Sequence, residues 1–181
     1  MALQAIAGQP TTANHSLLTI RAIDFNNFTY PWPKDLVDPT SFKRTFQLKN
    51  GELTATRTPD GMIDGMGMFL RNVVYGDVTG DGVEEAIINM SIQTGGSAIP
   101  GIVYIFSIKG NQPKLLWYFS TGDRADNGFR RAYALNGDLV LELNSPIEKK
   151  GDCCPTRFTL TRYTWQGKRF RKKQQELHLL N

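Results

Sequence analysis

Histidine and cysteine are scarce in this 181-residue chain, and neither is placed for chemistry. His15 and His178 lie near the two ends, so a histidine-dependent triad has no general base inside the patterned region. The only cysteines, Cys153 and Cys154, are adjacent, and no Cys-x-x-Cys or His cluster completes a zinc site. Neither a Gly-x-Ser-x-Gly elbow nor a phosphate-binding glycine loop occurs. No apolar run approaches the ~20 residues of a membrane span, which predicts a soluble chain with no transmembrane segment. Helical periodicity is nearly absent too, with mild candidates only at Lys34–Val37 and Lys172–Leu180.

What the chain does contain is a succession of short strand patterns separated by turn residues. Leu17–Ile23 and Phe25–Tyr30 come first, followed by an irregular, proline-rich connection. Phe42–Leu48 and Glu52–Thr56 flank Lys49-Asn-Gly51, which predicts a hairpin. Phe69–Tyr75 and Ala86–Ile92 enclose an acidic loop. Ile102–Ile108 pairs with Lys114–Phe119, and Phe129–Leu135 meets Asp138–Leu143 at Asn136-Gly137, the strongest two-residue hairpin signal present. Phe158–Trp165 and Lys168–Arg171 close a last hairpin at Gln166-Gly167. Ile102–Ile108 and Leu115–Phe119 are apolar on both faces, which predicts central positions. The expected fold is all-β, an antiparallel meander forming a sandwich or partial barrel. Residues 1–16 form a flexible arm, 17–171 a single domain and 172–181 a basic C-terminal tail.

The net charge of +4 is unevenly spread. Seven of the 21 bases fall within residues 157–173 with no acid among them, leaving 14 bases against 17 acids elsewhere. A short basic end of this kind is more often a solvated surface than a nucleic-acid site, so nucleic acid is not the expected partner.

The sharpest local feature is Asp77-Val-Thr-Gly-Asp-Gly-Val-Glu-Glu85. Asp77 and Asp81 at loop positions one and five, Gly82 at six and Glu85 at nine approach the spacing by which one loop wraps calcium with oxygens. The Thr79 hydroxyl or carbonyl and the Val83 carbonyl would complete the shell. Thr79 stands where strong calcium loops carry Asp or Asn, which lowers the ligand charge. The competing reading is a metal-free turn whose aspartates accept backbone N–H bonds.

Two further constellations carry chemistry. Gly122-Asp-Arg-Ala-Asp-Asn-Gly128 sets Asp123, Arg124 and Asp126 between strands. Arg124 is suited to bidentate recognition of an anion, and the alternative is a turn organised by Asp and Asn with Arg124 paired to a neighbouring carboxylate. Cys153 and Cys154 read as a strained vicinal disulfide or as two free thiols, with a redox-active pair as the lesser alternative.

Tyr75-Gly-Asp-Val-Thr-Gly-Asp-Gly-Val-Glu-Glu-Ala86 resembles the loop of FG-GAP and VCBS-repeat proteins, extracellular propellers that carry one such loop per blade. A single copy implies a relative of the loop, not a propeller. The chain resembles more closely a set of uncharacterised exported bacterial β-rich proteins with one such loop. That likeness rests on Thr94–Gly96, Leu115–Trp117, Gly122–Asp126, Cys153–Pro155 and Tyr163–Trp165 and covers roughly residues 69–170. The resemblance implies export and a β fold without implying an activity. The small-x-small triplet Ala5-Ile6-Ala7 has the form of a signal-peptidase site, without the charged and apolar regions that precede one, and reads equally as an ordinary Ala-rich end. The expected function is an exported, non-catalytic binding or structural domain with a protein or glycan partner and a structural calcium loop. Its rivals are an envelope-associated carboxylate-based hydrolase using Asp123 or Asp126, and a binder of anionic polymers through the basic C-terminal hairpin.

Overall fold

The structure, a computed structural model, describes residues 18–34, 44–54, 56–57, 63–64, 66–124, 126–145 and 155–180. The N-terminal arm, most of the Lys34–Val37 segment, and Cys153 and Cys154 lie outside the described residues. Thirteen strands follow two 3-10 turns, Ile20–Ala22 and Phe25–Asn27. In chain order they are β1 (Thr29–Pro31), β2 (Thr45–Gln47), β3 (Glu52–Leu53), β4 (Thr56–Arg57), β5 (Ile63–Asp64) and β6 (Gly67–Gly76). The later strands are β7 (Glu85–Gln93), β8 (Gly101–Lys109), β9 (Gln112–Thr121), β10 (Phe129–Leu135), β11 (Asp138–Asn144), β12 (Arg157–Trp165) and β13 (Phe170–Leu179). A five-stranded sheet has the order β3-β6-β7-β8-β9, and a four-stranded sheet the order β10-β11-β12-β13. Two small pairs, β1-β2 and β4-β5, complete the set, and every pairing is antiparallel. The chain is therefore all-β, and its sheets stay open instead of closing into a barrel.

Alternation along β7 and β8 explains the layering. Ala86, Ile88, Met90, Ile102, Tyr104 and Phe106 point to one face, under the N-terminal residues Ile20, Phe25, Tyr30, Phe46 and Leu48. Ile87, Val103 and Ile105 point the other way and pack against Ala132, Leu139, Leu141 and Phe170 of the four-stranded sheet. The central sheet is covered on both sides, so its middle strands read as unbroken apolar runs.

Several expectations need correction. Leu115–Phe119 is apolar on both faces, yet β9 is the edge of its sheet. A register shift opposite Ile105 and Phe106 leaves Leu116 without a partner, so Leu116 and Trp117 both join the inter-sheet cluster while Leu115 and Tyr118 join the other. The run is apolar because it is central in the sandwich, between layers, and not because it is central in its sheet. Residues 172–179 are neither tail nor helix but the body of β13, a full-length partner of β12. The stretch around residues 20–27 coils into two 3-10 turns, the first without a side-chain cap and the second capped by Asp24, which accepts from the Asn26 backbone N–H at 3.0 Å and from the Asn27 amide at 2.8 Å. Asn50 and Gly51 do form a tight turn at φ 52° and 85°, but only Lys49 and Glu52 bridge across it. β2 then leaves to pair with β1, and β3 pairs with β6.

The Asn136-Gly137 turn adopts the expected left-handed pair, φ 53° and 74°, and it also joins the two sheets. A Cβ on Gly137 would lie 2.9 Å from the Gly80 Cα of the acidic loop. Gly137→Ala is thus expected to cost roughly 1–3 kcal/mol, from left-handed strain and displaced backbone together, read as a lower urea midpoint at unchanged slope.

Candidate functional site: an acidic joint and a polar cleft

The acidic loop connects β6 to β7 and is organised from within. Asp77 accepts the Thr79 and Gly80 N–H groups on Oδ1 at 3.1 and 2.6 Å, and the Gly82 N–H on Oδ2 at 2.9 Å. Asp81 Oδ1 accepts from Val83 N at 2.9 Å. Gly80 and Gly82, at φ 77° and 83°, supply the left-handed backbone that this wrapping needs. Val78 is driven fully into the inter-sheet core, and the Val83 side chain faces solvent.

Glu85 behaves differently from the two aspartates. It is fully buried at the start of β7, where its Oε2 accepts from Val78 N at 3.0 Å. Burial pushes its carboxyl up to about 7 against the Val78 N–H and the Ser107 hydroxyl, with Asp81 and Asp77 adding repulsion. Its Oε1 lacks a well-formed hydrogen bond, as does the buried Thr79 Oγ1. These two oxygens stand at loop positions nine and three. Among the described residues no three Asp, Glu, His or Cys side chains already converge as a metal-ligand cluster.

The loop is also a joint. On one side Gly80 meets Gly137. On the other, Glu84 takes a bidentate pair from Arg21 at 2.6 and 2.7 Å, and that guanidinium lies 4.6 Å from the Tyr75 ring centre. No local pattern pointed to Arg21, which lies 63 residues from its partner.

The second site is a cleft of about 290 Å³ at the end of the sandwich, where the 94–100 and 122–128 loops meet. The described residues of the Gly122–Gly128 loop, 122–124 and 126–128, pack closely on one another. Arg124 and Asn127 hold φ 44° and 57°, and a Cβ on Gly122 or Gly128 would collide with the carbonyls of Asp126 and Arg124. Asp123 has both oxygens engaged, Oδ1 by the Ile99 N–H at 3.0 Å and Oδ2 by Arg124 Nε at 3.5 Å. Arg124 also donates to the Ser97 carbonyl at 2.8 Å. Asp126 does not line the cleft; its carboxylate accepts from the neighbouring Asn127 amide. The structure thus brings Asp123 and Arg124 together at the cleft and leaves Asp126 outside.

Sequence reading missed the floor. Ser91, Gly101 and Thr121 form one row across β7, β8 and β9. Gly101 occupies the face that Val103 and Ile105 fill further along β8, so the missing side chain hollows the inter-sheet space. Thr121 Oγ1 and, from the facing sheet, Asn144 Oδ1 are buried at the cleft wall without partners. The Asn144 amide nitrogen donates to the Arg124 carbonyl at 2.7 Å, which locks the loop to β11.

The basic C-terminal hairpin is partly neutralised. Arg162 and Lys173 both reach the buried Asp138 carboxylate, at 2.8 and 3.0 Å, and Thr164 donates to its other oxygen at 2.6 Å. Burial acts to raise the Asp138 carboxyl, but the bonds from Thr164 and Lys173 and the Arg162 charge hold it below the ordinary carboxylate range. No protein-family profile, curated protein or solved structure matches the chain.

Proposed function

We propose that this chain is an exported, non-catalytic binding domain whose ligand, presented by a protein or glycan partner, enters the cleft between the sheet ends. The observation that carries this reading is the state of Asp123. Among the described residues it is the sole acid lining the cleft, and an N–H and a guanidinium occupy its oxygens. A hydrolase built on paired carboxylates needs two of them flanking the scissile bond. Here Asp126 lies outside the cleft and binds its own neighbour. Export is supported by the resemblance of the acidic loop to those of extracellular proteins.

The acidic loop serves this domain as a structural clamp that calcium tightens. Asp77, Asp81 and Glu85 would hold the ion, with Thr79 and the Val83 carbonyl completing the shell, and the chemistry supplied is stabilisation alone. Thr79 Oγ1 and Glu85 Oε1 support the assignment, since both are buried ligand oxygens without a well-formed hydrogen bond. Binding draws the three carboxylates together, away from some of their present N–H partners.

The test combines spectroscopy with turnover. A mixture of small metabolites and oligosaccharides added to the 15N-labelled chain is expected to shift amides around Gly101, Thr121 and Asn144, while glycoside and peptide substrates stay intact. Substrate cleavage that disappears in Asp123→Asn would establish the hydrolase instead. A spectrum in which no compound moves the cleft amides would remove the binding reading.

A further inference from the structure

We infer that the cleft selects a neutral, hydroxyl-rich ring, that is, a single sugar unit. This rests on the proposal that the cleft is the ligand site, and four features of the cleft carry it.

The first is charge. Among the described residues the cleft is lined by one acid and one base, Asp123 and Arg124, which approach each other at 3.5 Å. Each is also held by backbone, through the Ile99 N–H and the Ser97 carbonyl. The two charges already offset each other and each holds a backbone group, so the cleft presents little net charge to favour a charged ligand over a neutral one. The second is the unmet hydrogen bonding. Thr121 is 6% exposed and its Oγ1 has no partner, and Asn144 Oδ1 is equally unmatched. An amide oxygen accepts only and a hydroxyl both accepts and donates, so the complementary groups on a ligand are hydroxyls or amide N–H groups. Turning the Thr121 oxygen from the floor toward the cleft takes a change of χ1 well, about 120°. The third is the apolar wall. Ile99, Pro100 and Phe129 line the same space, which suits the C–H face of a sugar ring whose rim carries the hydroxyls. The fourth is size. At about 290 Å³ the cleft sits at the lower limit of ligand sites, roughly 300–1,000 Å³, and holds one ring, not a chain.

Gly101 makes the space available. A Cβ there would lie 2.7 Å from Thr121 Oγ1 and 2.9 Å from the Met90 carbonyl, so any side chain at this position closes the floor and displaces the hydroxyl.

The experiment is a titration of the 15N-labelled full chain with N-acetylglucosamine, with its β-linked trimer, and with two charged counterparts, glucosamine and glucuronate. The neutral sugars are expected to give saturable shifts at Gly101, Thr121, Gly122 and Asn144. Equal affinity for monomer and trimer would identify a free sugar, and tighter trimer binding a glycan end; either supports the class. Thr121→Val keeps the shape and removes the hydroxyl. Its affinity should fall roughly tenfold or more while its melting temperature holds or rises, because an unmatched buried oxygen has gone. Unchanged affinity in Thr121→Val would overturn the inference. If the charged sugars move these amides and the neutral ones do not, the ligand class is wrong and the cleft remains a ligand site. If neither these sugars nor the broader metabolite mixture moves them, both readings fall.

Discussion

Tyr30→Ala is expected to cost about 3–5 kcal/mol of folding stability, much of the roughly 5–15 kcal/mol that a domain of this kind has. Tyr30 is completely buried in the layer that covers the central sheet. Its ring stacks on Phe46 at 5.5 Å and meets Phe28 and Phe106 edge-on at 4.9 and 5.9 Å. Its hydroxyl donates to the Phe25 carbonyl at 2.7 Å, closing the second 3-10 turn. Truncation therefore opens a large cavity and orphans a buried carbonyl in one step. Tyr30→Phe separates the two effects, and only the hydrogen-bond share, of order 1 kcal/mol, should be lost. Urea unfolding followed by tryptophan fluorescence reads both variants. A loss under about 1 kcal/mol for Tyr30→Ala would mean that the N-terminal layer does not unfold with the sheets it covers.

The second large effect is a pH dependence set by Glu85. Its carboxyl is raised from 4.5 to about 7 in the folded chain, chiefly by burial. The unfolded chain therefore releases this proton first as pH rises. The contribution is fully present below about 4.5, declines between there and 7, and is lost above the folded value. The displacement corresponds to roughly 3 kcal/mol. Glu85→Gln cannot ionise, so in EDTA its stability relative to the parent should grow across that window and level off near pH 8. A constant difference between the two proteins from pH 4 to 8 would show that Glu85 does not titrate as a buried acid.

Calcium reverses the expectation, because it binds the ionised carboxylate. At 100 times its dissociation constant an ion held only by the folded chain adds about 2.7 kcal/mol. The parent should melt higher in millimolar calcium than in EDTA, increasingly so above pH 7, and Asp81→Ala and Glu85→Gln should not. The absence of any shift in the parent would leave Asp77 and Asp81 as turn-forming residues alone.

How far the sequence foretold these features depends on the range of the forces involved. The Asn136-Gly137 turn and the two-faced run of β8 could be read directly, since each is decided by the conformation or alternation of neighbouring residues. The wrapping of backbone N–H groups around Asp77 and Asp81 belongs to the same category, being local Asx chemistry. The 3-10 turns were obscured because Ile20 and Phe25 have strand-like side chains, whereas the backbone at the second turn follows Asp24. β13 was obscured because its bases look like a tail until Asp138, 35 residues earlier, is seen to receive Lys173. The floor of the cleft was invisible for a related reason. Gly101 looks like an ordinary strand start, and only the register that sets it between Ser91 and Thr121 turns a missing side chain into space.

The open edge of the four-stranded sheet also governs how copies of this chain behave when concentrated. β13 is an outer strand whose far side pairs with no strand among the described residues, the kind of edge that recruits a second molecule. Arg171, Lys172 and Lys173 stand on its first half as a repulsive guard against in-register stacking. The far end is less protected, with Leu177 and Leu179 at 56% and 72% exposure. The guard is electrostatic, and about 0.1 M salt shortens the reach of such charges to roughly 10 Å. Colloidal behaviour in concentrated solution is thus controlled at the opposite end of the chain from the layer that dominates its folding.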